Sequence, residues 1–133
     1  MITLVGRWEN DIMSEDLEMR MLRQLKGAYQ IDRILMTPIV ESMKTRANVE
    51  QFNTMEEALE TCNGLIVFLE HKGKTALTDL PKTNDVTFVT GNAYHSNMHL
   101  AEGHITCKIK SAKPTDMFAV NAIAIALAYW YGQ

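Results

Sequence analysis

The clearest chemical signal in this sequence is a short buried-strand pattern that ends in a glycine turn. Residues 87–89 have the composition of a strand that ends at Val89, and Thr90, Gly91 and Asn92 follow directly. A glycine lets a ligand approach the backbone, whose amides and carbonyls can then form hydrogen bonds with it. The pattern predicts a ligand-binding loop. Its alternative is a plain turn in which Gly91 and Asn92 serve only the local backbone.

Two further loops are candidates because ligands of open parallel sheets bind beyond the carboxyl ends of the strands. One loop spans residues 6–10 and includes Asn10, and the other spans residues 110–113 and includes Ser111. The sequence contains neither a GxGxxG fingerprint nor a complete GxxxxGK(S/T) phosphate loop. A Rossmann dinucleotide site and a nucleoside triphosphatase therefore have little support.

The elements that must position these loops alternate between strand and helix patterns. Strands are predicted at residues 2–6, 33–36, 65–69, 86–89 and 105–109. Helices are predicted from Ser14 to Ala28, from Thr54 to Asn63, and from Met117 to Tyr131. This alternation predicts an α/β fold with a mainly parallel sheet of five or six strands flanked by helices.

Composition is that of an ordinary globular protein, with 133 residues, 47% hydrophobic and 22% charged content, and a formal charge of −3. We expect a single domain over residues 1–133. Cys62 and Cys107 lack CxxC spacing, and Met1 leads into a segment without the features of a signal peptide. The longest apolar run is too short to span a bilayer. A soluble, cytoplasmic protein without a membrane partner is the resulting expectation.

The apolar segment 117–131 predicts a terminal helix with almost no polar face. Ile125, Ala126 and Tyr129 remain apolar after one face of the helix is assigned to the sheet. A second copy of the chain would bury this remainder, so we expect a homodimer through the C-terminal helix, with Ala126 in the interface.

Basic and aromatic residues near the loops allow two interpretations. Lys108, Lys110 and Lys113 could contact nucleic-acid phosphates, although scattered lysines usually serve solubility. Trp8 and Tyr94 could stack on bases, although aromatic side chains more often pack in a core or an interface. Neither group specifies a substrate.

A metal site is a weaker alternative. His95, His99, His104 and Cys107 carry the imidazole and thiolate groups that suit zinc. Their spacing matches none of the familiar zinc patterns, and the strand alternation around Cys107 already accounts for that residue. We therefore expect no metal ligand among these residues.

The order of segments resembles the SPOUT RNA methyltransferases, in the branch that methylates the ribose 2'-hydroxyl. Asn10 and Arg23, followed by residues 30–35, are similar to the family's first motif. Residues 88–96 are similar to the second motif, and residues 109–120 fall where the third motif and the final helix are expected. The resemblance extends over most of the chain.

This resemblance implies a C-terminal trefoil knot that holds S-adenosylmethionine, a homodimer, and transfer of a methyl group to tRNA or rRNA. It assigns catalysis to Arg23 and Asn10, with Arg23 activating the ribose hydroxyl or binding phosphate. The residues that it assigns to the cofactor are Val89, Thr90, Gly91, Asn92, Ile109, Ser111 and Phe118.

The chain departs from the family pattern at three places. Ala93 stands where the second motif usually has glutamate, and Ser96 stands where it often has glycine. Residues 117–119 replace the polar serine-leucine-asparagine of the third motif. Spacing also leaves Arg20 as an alternative to Arg23. A non-catalytic knotted module that binds a nucleotide-like ligand, RNA or protein is therefore the alternative function.

Overall fold

The computed structural model describes residues 1–8, 15–44, 49–91, 97–109 and 119–132. Within these ranges the strands are β1 (Ile2–Arg7), β2 (Arg33–Thr37), β3 (Glu50–Gln51), β4 (Leu65–Leu69), β5 (Thr75–Ala76), β6 (Val86–Val89) and β7 (Ile105–Lys108). The helices are α1 (Glu15–Ala28), α2 (Met55–Glu60) and α3 (Ala119–Tyr131). Short 3-10 turns cover Glu41–Met43, Leu77–Asp79 and Met98–Leu100.

All described strands form one sheet in the order β3-β2-β1-β6-β4-β7-β5, and every neighbouring pair is parallel. Strand β6 enters between β1 and β4, and β7 enters between β4 and β5. The predicted α/β class is confirmed. The sheet has seven described strands against the five or six predicted from the sequence, because β3 and β5 are edge strands of two residues each. Such short strands leave no hydrophobic period to detect.

The central strands are buried on both faces, which explains their continuous apolar sequences. One face packs against α1 and α3 through side chains such as Leu4, Phe88, Leu22 and Leu127. The opposite face packs against α2 through a second set of residues. Its buried members are Val5, Leu35, Met55, Ala58, Phe68, Val89 and Ala101. The protein therefore has three layers, with the sheet in the middle.

Helix α2 begins where the capping pattern predicts. Thr54 has an extended backbone, and its hydroxyl accepts a hydrogen bond from the Glu57 N–H at 3.2 Å. The helix ends at Glu60, three residues before the predicted end at Asn63. Gly64 has a φ of 76°, and a side chain there would lie 2.6 Å from the Asp85 carbonyl oxygen. Glycine thus permits the close entry into β4.

Helix α3 corrects the expected position of Ala126. Ala126 has no exposed surface and lies with Ile123 and Leu127 in the core, whereas Ile125 is 40% exposed. An all-apolar helix has no polar face from which its rotation could be read, so the sequence assigned the wrong residue to the outer surface. Among the described helices, none combines the length and the apolar character that a bilayer crossing demands.

Candidate functional site

The carboxyl ends of β1 and β6 lie side by side, and the half-buried Gly91 follows close after β6. The Thr90 N–H donates to the Val5 carbonyl at 2.9 Å, which continues the parallel pairing beyond the last residue of β6. A side chain at Gly6 would lie 3.2 Å from Met36 Sδ and 3.4 Å from Thr90 Oγ1. The absence of a side chain at Gly6 therefore leaves room for the side chains of Met36 and Thr90 on the neighbouring segments.

A polar network joins the two strands that flank β6. Arg7 is the last residue of β1, and its Nε donates to Asn97 Oδ1 at 2.8 Å. Glu70 directly follows β4, and its Oε1 accepts from the Asn97 backbone N–H at 3.1 Å. Asn97 itself has no exposed surface. We refer to these three residues as the Arg7–Asn97–Glu70 network.

The end of β4 is also fixed to β7. The Glu70 N–H donates to the Cys107 carbonyl at 3.0 Å, and the Gly73 N–H donates to the Glu70 carbonyl at 2.9 Å. A side chain at Gly73 would lie 2.6 Å from the Cys107 carbonyl carbon. These contacts place the Glu70 backbone beside the segment that leads to Ile109.

The structure brings part of the predicted cofactor set to one edge of the sheet. Val89 and Thr90 are buried at the end of β6, Gly91 is half-buried after them, and Ile109 is half-buried after β7. Strands β6 and β7 are separated by β4, a spacing of about 10 Å between the two ends. The predicted site residues Asn10, Asn92, Ser111 and Phe118 lie outside the described residues.

Both candidate arginines are exposed on α1. The helix connects the carboxyl end of β1 to the amino end of β2, so its first residues lie toward the predicted site. Arg20 lies about 7.5 Å along the helix axis from Glu15, and Arg23 lies about 12 Å from it. Helix geometry therefore favours Arg20 for contact with the site, while the sequence motif favours Arg23.

Trp8 does not serve as a base-stacking residue. Its side chain is 1% exposed, and Nε1 donates to the Pro38 carbonyl at 2.8 Å. The alternative of core packing is correct for this residue. Lys108 is exposed at the end of β7, and Lys110, Lys113 and Tyr94 lie outside the described residues.

The described residues do not assemble the zinc set. No group of three potential metal-binding side chains occurs within the ranges that the structure describes, and His95 lies outside them. Cys107 is fully buried, and burial raises the pKa of its thiol to about 11. The exposed His104 packs against Phe68, with ring centroids 5.8 Å apart.

A groove of about 550 Å³ lies at the opposite, amino edge of the sheet. Its lining residues are Met1, Ile2, Gln30, Ile31, Asp32, Thr83, Asn84, Trp130 and Tyr131. None of the predicted site residues belongs to this lining. We place the candidate site at the carboxyl edge because that edge has the glycine turn, the charged network and the strand ends at which parallel sheets bind ligands.

Sequence comparison gives no relatives for the chain: no family model and no curated protein matches it. Solved structures do match over almost its whole length. A protein whose structure addresses the 2-OH methylation of C/U34 on tRNA is 12% identical, with a TM-score of 0.74, and the match covers 99% of this chain and 95% of that one. This chain has the SPOUT methyltransferase fold.

Two further matches extend the comparison. A Bacillus anthracis protein assigned as an RNA methyltransferase has 14% identity and a TM-score of 0.71, with 99% and 93% of the two chains covered. An RNA 2'-O ribose methyltransferase has 10% identity and a TM-score of 0.67, with 96% of this chain and 54% of that chain covered. The fold inferred from the sequence resemblance is thus confirmed.

Sequence reasoning missed the Arg7–Asn97–Glu70 network, although each residue had a weak signal. Arg7 belongs to a loop already considered, and Glu70 is the first charged residue after the apolar run of β4. Asn97 had no signal of its own. The three residues are separated by 27 to 90 positions, so only the β1-β6-β4 strand order brings them together.

Proposed function

We propose that this chain is an S-adenosylmethionine-dependent RNA methyltransferase that modifies a ribose 2'-hydroxyl of tRNA or rRNA. The observation that carries the proposal is the match, over 99% of this chain and 95% of the other, to a protein of tRNA 2-OH methylation. A fold that matches end to end supports a shared catalytic framework, although fold alone does not determine chemistry. The match favours the enzyme over the non-catalytic module.

The residues at the carboxyl edge fit this cofactor chemically. S-adenosylmethionine carries hydroxyls, an adenine, two cationic groups and a carboxylate, so its site needs both acceptors and donors. Backbone groups at Thr90, Gly91 and Ile109 can bind an adenosine moiety without any particular side chain. Glu70 supplies a carboxylate at the same edge. With Val89, Asn92, Ser111 and Phe118, these residues would hold the cofactor.

When bound, S-adenosylmethionine supplies the electrophilic methyl group of a sulfonium for attack by a ribose 2'-oxygen. The chain's own residues orient the two reactants, which is where most of the rate enhancement arises. Arg23, or Arg20 in its place, binds RNA phosphate or stabilises negative charge on the ribose oxygen. A guanidinium donates hydrogen bonds but has no acceptor, so the hydroxyl proton passes to water as the O–CH3 bond forms and the S–CH3 bond breaks to release S-adenosylhomocysteine. Asn10 is proposed to orient the ribose.

We also propose that residues 1–133 form one methyltransferase domain with a C-terminal trefoil knot. Support comes from the two late insertions in the sheet, of β6 between β1 and β4 and of β7 between β4 and β5. Strand insertion alone does not form a knot, so the main support is the fold match to methyltransferase structures over 99% of this chain.

A homodimer through α3 completes the proposal. Helices α1 and α3 pack side by side, and each presents a large apolar side chain to solvent. Leu17 of α1 is 48% exposed and Ile125 of α3 is 40% exposed. Alanine at position 128 is also exposed and allows close approach of a second helix.

The dimer predicts that Ile125→Glu converts the protein to monomers, because a carboxylate would be buried against the second copy. Light scattering would measure the mass, and Glu102→Gln, an exposed substitution away from α3, is the matched control. A monomeric mass for the unchanged protein would refute the dimer. A retained dimer in Ile125→Glu would exclude this face of α3 as the interface.

The function is tested by incubating the protein with radiolabelled S-adenosylmethionine and total tRNA or rRNA. Methylation of a 2'-hydroxyl leaves a dinucleotide that resists alkaline hydrolysis, and this product is expected. Arg23→Ala and Arg20→Ala are compared with the control Arg33→Ala. Arg33 begins β2, at the amino edge of the sheet, and its side chain is bound to Glu50. Transfer to a base instead would give label that alkali releases in single nucleotides. Absence of label in any RNA would contradict the proposal.

A further inference from the structure

We infer that Arg7 and Asn97 are positioning residues that hold the carboxyl end of β6, at Thr90 and Gly91, in place for the methyl donor, an inference that rests on the proposed function. Strand β6 lies between β1 and β4. Arg7, which ends β1, and Glu70, which follows β4, both form hydrogen bonds with Asn97. The chain is thus anchored to both neighbouring strands.

Hydrogen bonds hold the chain on both sides of Gly91, at Thr90 before it and at Asn97 after it. On the near side, Thr90 binds Val5 through its backbone N–H at 2.9 Å, and its hydroxyl lies 3.4 Å from the same carbonyl. On the far side, Asn97 uses its side chain toward Arg7 and its backbone toward Glu70. Backbone donors and acceptors can orient a ligand only if the segment that carries them is already fixed, because ordering it on binding would cost free energy.

Asn97 is a poor choice for stability alone. It is fully buried, and its Nδ2 has no hydrogen-bond partner among the described residues. A buried donor without a partner loses its hydration without compensation, so an apolar side chain would suit a purely structural role at least as well. Positions that break a packing rule in this way are expected at functional sites. The acceptor that Asn97 offers to Arg7 is the property that an apolar residue would lack.

Calorimetry with S-adenosylhomocysteine tests this role with three variants. Asn97→Leu keeps the branched shape and removes the acceptor, Arg7→Met keeps the apolar stem and removes the donor, and Asn97→Asp keeps the acceptor. We expect Asn97→Leu and Arg7→Met each to weaken binding about tenfold, or about 1.4 kcal/mol. Asn97→Asp should stay within about threefold of the unchanged protein. The double variant should be no weaker than either single variant, since both remove one interaction.

Melting temperature and amide exchange separate positioning from folding. Asn97→Leu should melt within about 3 °C of the unchanged protein, while exchange of the Thr90 amide should become faster and that of the Phe88 amide should not. Unchanged ligand affinity in Asn97→Leu would overturn the inference. It would also be overturned if Asn97→Asp lost as much affinity and as much melting temperature as Asn97→Leu. Absence of binding to the unchanged protein at millimolar ligand would instead overturn the proposed function, and the inference with it.

Discussion

At the amino edge of the sheet, neighbouring segments satisfy each other's backbone groups. Ile2 donates from its N–H to Asp32 Oδ2 at 2.7 Å, and Asp32 returns a backbone hydrogen bond to the Ile2 carbonyl at 2.8 Å. The Tyr131 hydroxyl similarly donates to the Gln30 carbonyl at 3.0 Å. At the carboxyl edge, by contrast, the side chains of Arg7 and Glu70 reach across β6 to a buried asparagine.

From this difference we infer that the two ends of the same strands have different roles. The amino edge closes the sheet, and its groove is lined by residues that are already engaged in local contacts. At the carboxyl edge, by contrast, Arg7, Glu70 and the buried amide of Asn97 occupy positions where apolar residues would pack as well. We therefore propose the carboxyl edge rather than the groove as the site, because of the chemistry of the residues around the strand ends.

Trp8 differs from the other residues considered at the carboxyl edge, because its side chain is buried in the core. Trp8→Ala should lower the free energy of unfolding by about 3–5 kcal/mol through the lost packing. Trp8→Phe should cost only about 1 kcal/mol, for the hydrogen bond to Pro38, and should bind S-adenosylhomocysteine normally. Urea denaturation and calorimetry measure the two effects. A large loss of ligand affinity in folded Trp8→Phe would show that Trp8 contacts the ligand.

At the amino edge, Asp32→Ala should lower the free energy of unfolding by about 1–2 kcal/mol, because the Ile2 N–H loses a charged acceptor. Ligand affinity should not change. Asn84→Ala, at the same groove, is the control because its side chain makes no hydrogen bond among the described residues. A change in ligand affinity of tenfold or more in Asp32→Ala would break the division of roles between the edges.

The smallest effect concerns Cys107, whose buried thiol has a pKa of about 11. An unfolded chain loses this proton near pH 9 while the folded chain keeps it, so stability falls as pH rises between these values. At pH 9.5 this loss should be below about 1 kcal/mol. Cys107→Val should lack this pH-dependent loss of stability. Urea denaturation midpoints of the two proteins at pH 7.5 and 9.5 would show the difference. An equal fall in both midpoints would contradict a buried, protonated thiol.

Much of the fold was predictable because long apolar strands and capped helices leave local signals. Strands β4 and β6 have the predicted bounds, and β1, β2 and β7 differ by one residue at the carboxyl end. The strand order was not predictable from local pattern, since β6 and β7 insert between strands formed earlier in the chain. The strand order, in turn, creates the Arg7–Asn97–Glu70 network, which therefore escaped sequence reasoning.

The outer face of α3 could not be predicted for a different reason. Nearly every residue of that helix is apolar, so helical periodicity did not distinguish the buried Ala126 from the exposed Ile125. The end of β6 just before Thr90 and Gly91 was predicted from the sequence, because an apolar strand pattern runs directly up to them. Its role as a cofactor site remains a prediction.

The most direct test of the central claim is a nuclear magnetic resonance titration of the labelled protein with S-adenosylhomocysteine. The account predicts saturable shifts of the backbone amides of Thr90, Gly91 and Ile109, at the carboxyl edge. The amides of Ile2 and Asp32, at the amino edge, should not move. Shifts confined to the amino-edge groove, or no shifts at millimolar ligand, would contradict the claim that the carboxyl edge binds a methyl donor.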